Sequence, residues 1–253
     1  MPSLSLPRPD RTLETYRTRG AQRAWPRPER PIASRVAYAA AHVVGDPLAD
    51  VDPTTRAAID WDATLGYRHH LWSYGLAVAE AMDTAQRGMG LDWSASQELI
   101  RRSLAEARAA GGVIACGAGT DHLAPGDDVT LAAVERAYEE QCGFVEGHGG
   151  RVILMASRAL ARAARTPDDY LRVYGSILRQ IRQPVILHWL GEMFDPQLAG
   201  YWGSSDLGAA MEHCLGLIHD YRSKIDGIKI SLLDADKEIA MRRRLPAGVR
   251  MYT

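Results

Sequence analysis

Lysine is nearly missing from this chain: of 30 basic residues only Lys224, Lys229 and Lys237 are not arginine. Cysteine is as scarce. Cys116, Cys142 and Cys214 are odd in number, far apart and without Cys-x-x-Cys spacing, so neither a disulfide framework nor a zinc cluster is indicated and all three read as small core residues. No apolar run reaches the roughly 18 residues of a membrane helix, and the N-terminus, MPSLSLPRPDRTLETYRTRG, lacks the apolar centre of a secretion signal. Basic residues do not cluster among aromatics and the formal net charge is -1, which argues against nucleic acid as a partner. These absences predict a soluble, cytoplasmic protein that engages neither nucleic acid nor membrane.

What is present is a rhythm. With 253 residues, 46% of them hydrophobic, the chain can bury a full core as one domain. Residues 1–33 are rich in Pro and Arg, and alternation around Leu4 to Leu6 and Thr12 to Tyr16 predicts a hairpin or extended arm, followed by a linker from Trp25 to Pro31. From 34 to 253 short apolar runs alternate with helical patterns. Strands are predicted at 35–44, 76–81, 113–116, 152–156, 184–190 and 226–232, with another opening at 248. Helices are predicted at 60–74, from a capping box at Ser94 to Gln97 as far as Gly111, at 130–146, from Thr166 with proline in its first turn, at 205–223 and at 234–244. Alternation of this kind predicts an α/β fold, a (β/α)8 TIM barrel with its site at the C-terminal ends of the strands. Only six βα units and the start of a seventh fit, so the barrel is expected to be truncated within 34–253, with self-association into a homo-oligomer through the gap.

The stretch Asp226-Gly-Ile-Lys-Ile-Ser-Leu232 holds the lysine of interest. Period two sends Ile228, Ile230 and Leu232 to a helix-facing side and Gly227, Lys229 and Ser231 to the other. Arginine cannot lose its proton, whereas a lysine taken out of water can become a nucleophile towards a carbonyl. The plainer alternative is a lysine at a strand end whose amine snorkels to solvent.

If the barrel forms, its rim carries His42 after the first strand, then Glu80, Asp83 and Thr84 after the second. The third contributes Thr120, Asp121 and His122, the fourth Ser157 and Arg158, the fifth His188 and Glu192, and the sixth Asp234 beside Lys229. Gly117 and Gly119 would admit backbone close to a ligand, and Arg158 suits a carboxylate held bidentately. Asp83 and His188 are candidates for proton transfer, and Thr84 and Ser157 for substrate binding. His188, Glu192 and His122 also allow a metal-dependent sugar isomerase or epimerase, although no His-x-x-x-His or Glu-x-x-His spacing supports a metal. A third possibility is a non-catalytic remnant.

Together these residues resemble the dihydrodipicolinate synthase and N-acetylneuraminate lyase superfamily of class I aldolases, and a dihydrodipicolinate-synthase-like branch in particular. Gly227-Ile228-Lys229 matches the Gly-Ile-Lys context of that superfamily's Schiff-base lysine, and Gly117-Ala118-Gly119 its Gly-x-Gly turn after strand three. The resemblance runs from about Arg35 to Thr253. It implies a barrel, a lyase working through an imine on Lys229, a small keto acid or sugar-derived carbonyl compound as substrate, and no cofactor. Two motifs depart from the superfamily. Its Gly-Thr-Thr-Gly-Glu segment, which holds a keto-acid carboxylate, is replaced by Glu80-Ala-Met-Asp-Thr84, and its proton-shuttling tyrosine after strand four by Met155-Ala-Ser-Arg158.

Overall fold

A computed structural model describes residues 3–19, 25–30, 32–52, 54–123, 126 and 128–253; Pro31 of the predicted linker lies outside them. Strands β1 (Ser3–Pro7) and β2 (Leu13–Arg17) make the antiparallel hairpin that the N-terminal alternation called for, with every residue exposed. The alternating part then runs β3 (Tyr38–Ala40), α1 (Trp61–Ser73), β4 (Ala77–Glu80), α2 (Trp93–Ala110), β5 (Ile114–Ala118), α3 (Leu131–Gly147) and β6 (Arg151–Leu154). It continues as α4 (Arg158–Ala163), α5 (Pro167–Gln180), β7 (Val185–Leu190), α6 (Leu207–Asp220), β8 (Ile225–Ser231), α7 (Ala235–Arg244) and β9 (Arg250–Tyr252).

Strands β3 to β9 form one sheet in chain order, parallel throughout. The sheet curls until Tyr38 on β3 and Tyr252 on β9 meet edge to face, with ring centroids 5.7 Å apart. Among the described residues β3 pairs only with β4 and β9 only with β8. The architecture is therefore a curled seven-stranded half-barrel, not a closed ring of eight.

Period two divides the apolar residues of the strands into two populations. One, including Val78, Leu154, Trp189, Ile228 and Ile230, packs against the helices in the main core. The other faces inward and is small: Ala79, Met82, Ala115, Ile153 and Ile186, with Tyr38, Met155 and Tyr252 against them. Because alanine and glycine line so much of the concave face, a cavity of about 960 Å³ remains inside, and Lys229 lines it. Lys229 thus points into the barrel, as the alternation of β8 requires.

The local signals set most helix starts. Thr130 caps α3 through its side chain, Thr166 and Asp169 form a capping box at α5 with Pro167 following, and Asp234 caps α7. At α2 the prediction was misplaced. Asp92, not Ser94, is the cap, accepting from Ala95 N at 2.8 Å, and the helix begins at Trp93. The expected first strand shrinks to the three residues of β3, and the short α4 was not foreseen. All three cysteines are buried and free, as expected of core residues. No helix among the described residues is long and apolar enough to cross a membrane.

Gly227, next to the lysine segment, is required by a close approach. A Cβ there would stand 2.6 Å from Tyr252 Cε2 and 2.7 Å from Arg250 O. Gly227→Ala should therefore strain the β8–β9 pairing and cost about 1–3 kcal/mol, the usual penalty for overpacking, measurable by chemical denaturation.

Candidate active site

Residues paired in register on neighbouring parallel strands point to the same face of the sheet. His188 on β7 pairs with Lys229 on β8, so both side chains are sent inward at one level, and Lys229 Nζ lies 3.0 Å from His188 Nε2. Lys229 is half-buried and His188 is 2% exposed. The histidine's other nitrogen, Nδ1, is buried without a hydrogen-bond partner among the described residues. Burial first, and then the positive charge of Lys229, hold the imidazole pKa down to about 3 from its ordinary 6.5, against an opposing pull from Asp83. His188 is consequently neutral near pH 7, and when the amine is an ammonium group it donates into Nε2.

A depressed histidine has a measurable signature. Between pH 6.5 and 3 the unfolded chain takes up a proton that the folded chain refuses, so the contribution to stability is complete above 6.5 and is lost as pH falls. We expect His188→Asn to remove this dependence. Wild type should lose roughly 2 kcal/mol more than the variant between about pH 7.5 and 5, above the range of most carboxylates. Parallel stability–pH profiles for the two proteins would show that the histidine is not held neutral.

Asp83 reaches the same place from β4. That strand is followed by Ala81, buried and with φ at 52°, a left-handed conformation unusual for alanine. Both sides of the residue are clamped. Ala81 N donates to Glu80 Oε1 at 3.0 Å, and Ala81 O accepts from Arg87 at 3.2 Å. Glu80 is in turn gripped bidentately by Arg68 at 2.9 and 2.8 Å, and Arg68 also donates to His42 O at 2.6 Å and Thr64 O at 3.1 Å. The chain then turns into a short 3-10 segment, Asp83–Ala85. Asp83 lines the interior cavity that holds Lys229 and also a second cavity, of about 420 Å³, that holds His188.

This second cavity lies at the C-terminal ends of β4 to β7. Thr120 and Ser157 line it as a hydroxyl pair 2.6 Å apart, and Ser157 Oγ also accepts from Leu160 N, capping α4. Arg158 lines it while donating to Asp195 at 2.5 Å, and Gly119 contributes backbone. Arg87 forms one wall and bonds Asp121 at 3.1 and 2.9 Å, Gly117 O at 2.7 Å, and Gln141. Burial would raise the Asp121 carboxyl, yet the Arg87 charge and hydrogen bonds hold it below its usual range.

Of the residues singled out from the sequence, the fold brings Lys229, His188 and Asp83 together, with Gly119, Ser157 and Arg158 on the adjoining rim. Thr84 is exposed and lines neither cavity. Gly117 makes room for Ala81 O and Met155 Sδ, which a Cβ would meet at 2.6 and 2.8 Å, and so serves packing. His42 and Glu192 are exposed, Asp234 caps α7, and His122 bonds Gln141 at 2.7 Å, away from His188. Among the described residues no three His, Cys, Asp or Glu side chains stand close enough to share a metal ion. Arg68, Arg87 and Gln141 went unnoticed in the sequence. Arg68 had one detectable signal, since it falls between Thr64 and Leu71 on the buried stripe of α1.

A family model described as "Protein of unknown function (DUF993)" matches residues 4–253. The chain belongs to that family. No curated protein matches it. Solved structures do, and they share its fold. Dihydrodipicolinate synthase from Oceanobacillus iheyensis is 13% identical with a TM-score of 0.53, over 86% of this chain and 60% of that one. A monomeric dihydrodipicolinate synthase variant is 13% identical with a TM-score of 0.59, over 89% and 64%. 2-Keto 3-deoxygluconate aldolase from Picrophilus torridus is 14% identical with a TM-score of 0.53, over 84% and 65%. This chain thus has the dihydrodipicolinate synthase-like fold that Gly227-Ile228-Lys229 indicated, and it spans less than two thirds of the length of these structures.

Proposed function

We propose that this protein is a lyase of the aldolase type that works through an imine on Lys229. The observation that carries the proposal is the inward Lys229–His188 pair, 3.0 Å apart, where the interior and rim cavities adjoin. The likeness in fold to lyases supports it. Neutral Lys229 Nζ attacks the carbonyl carbon of a small substrate; the C–N bond forms, the carbonyl oxygen leaves as water with both amine protons, and one proton taken up from solvent leaves a protonated imine. That cation takes up the electron pair of the neighbouring C–C bond as it breaks, while the departing fragment loses its hydroxyl proton to a base and leaves as an aldehyde.

His188 suits the proton traffic because its affinity follows the state of the lysine. The charge on Lys229 is one of the two causes that lower it. When the nitrogen becomes a neutral enamine, that repulsion is lifted and the imidazole is a better proton acceptor at the step that frees a proton. Asp83, at the junction of the cavities, is the second candidate base.

The test is chemical trapping. Incubation with 2-keto acids and sugar-derived aldehydes or ketones in the presence of sodium cyanoborohydride should leave a stable secondary amine, which peptide mass mapping places on Lys229. Lys224, whose amine donates to Ile181 O at 2.7 Å, and Lys237 should stay unmodified. A chain labelled elsewhere, or by no carbonyl compound, would sink the imine.

A further inference from the structure

The groups around the lysine speak to the substrate, granted the imine proposed above. In a 2-keto acid the carboxylate is bonded directly to the carbon that the amine attacks, so it must lie beside Lys229 wherever the rest of the molecule goes. A cation placed there would favour such acids. Of the cations around the two cavities, the buried one is already committed. Arg87 has five N–H donors, and all five are spent, on Asp121 twice, Gln141, Ala81 O and Gly117 O. Arg158 and Arg162 line the rim cavity and not the one that holds Lys229. The arginines of the interior cavity, Arg35, Arg242 and Arg250, belong to its other end. Arg35 precedes β3, Arg242 lies in the last turn of α7, and Arg250 opens β9 and bonds Asp226 at 2.5 Å.

What the two cavities share is a carboxylate. Among the described residues Asp83 is the one acidic residue that lines both cavities, and its side chain makes no hydrogen bond or ion pair with any of them. A carboxylate repels another and accepts from a hydroxyl.

We infer that the substrate is a neutral α-hydroxy aldehyde or ketone and not a 2-keto acid, and that Asp83 sets this choice by bonding the hydroxyl next to the carbonyl and repelling a carboxylate in its place. Asp83 is then a specificity-determining residue. The repulsive contact does as much of the selecting as the attractive one.

The experiment is a competition between dihydroxyacetone and pyruvate for Lys229 under cyanoborohydride, read by the mass of the labelled peptide, in wild type and in Asp83→Asn. Circular dichroism and melting confirm that the variant folds, which its exposed, unpartnered position favours. Wild type should favour dihydroxyacetone by about tenfold or more, and Asp83→Asn should shrink the ratio by about tenfold, mainly through faster labelling by pyruvate. A wild type that prefers pyruvate, or a ratio that Asp83→Asn leaves unchanged, overturns the inference while the imine stands. Labelling of Lys229 by neither compound, nor by any other carbonyl tried, overturns both.

Discussion

Lys229→Arg and Lys229→Ala should each lower carbon–carbon bond cleavage by about 10⁴-fold or more, to the level of the uncatalysed background, because neither side chain can supply the nitrogen of an imine. The pair of variants separates charge from nucleophilicity. Arginine keeps a cation against His188 and alanine does not, so a lysine that merely provided positive charge would be replaced by arginine at modest cost. Stability should hardly change, since Lys229 is half-buried and its one side-chain bond among the described residues is to His188. In Lys229→Ala the charge that helps depress His188 is gone, and its NMR titration should move up from about 3. Added methylamine should return part of the lost rate to Lys229→Ala and none to Lys229→Arg. Substantial activity in the arginine variant would end the covalent mechanism.

Which parts of this were legible in the sequence follows from the range of the forces involved. Strands announce themselves through period two and helices through caps, and both are local. The order of the seven parallel strands, the direction of Lys229, the N-cap at Thr166 and the helix starts at Thr130 and Asp234 could be read for that reason. Asp92 was missed because a capping box two residues later competed with it. The rim was harder. Whether Glu80 serves a substrate or a structural ion pair depends on Arg68, twelve residues away on α1, and no periodicity encodes that meeting. Gly117 carried the same ambiguity: a glycine after a strand can admit a ligand or a neighbouring chain segment, and only Ala81 O and Met155 Sδ decide for the latter. The partnership of His188 with Lys229 was within reach in principle, because parallel strands of known order fix which residues share a level, but it needed the β-bulge that shifts the register of β8 against β7 between Val185 and Ile186.

Breaking the Arg68–Glu80 pair should produce the largest loss of stability. Both side chains are fully buried, and removing one partner leaves the other as an uncompensated charge, so Arg68→Met or Glu80→Leu alone should cost about 3–5 kcal/mol. The double variant Arg68→Met with Glu80→Leu leaves no orphaned charge, and apolar packing should restore most of that loss. It does not restore the hydrogen bond from Ala81 N to Glu80 Oε1, which holds Ala81 at φ 52° and so aims the turn that carries Asp83. Stability and chemistry should therefore part company. Denaturation midpoints of the double variant should lie near wild type, while labelling of Lys229 slows and loses its preference between neutral and acidic carbonyl compounds. Were the double variant to label at the wild-type rate and selectivity, the pair would be structural only and Asp83 would owe its place to other contacts.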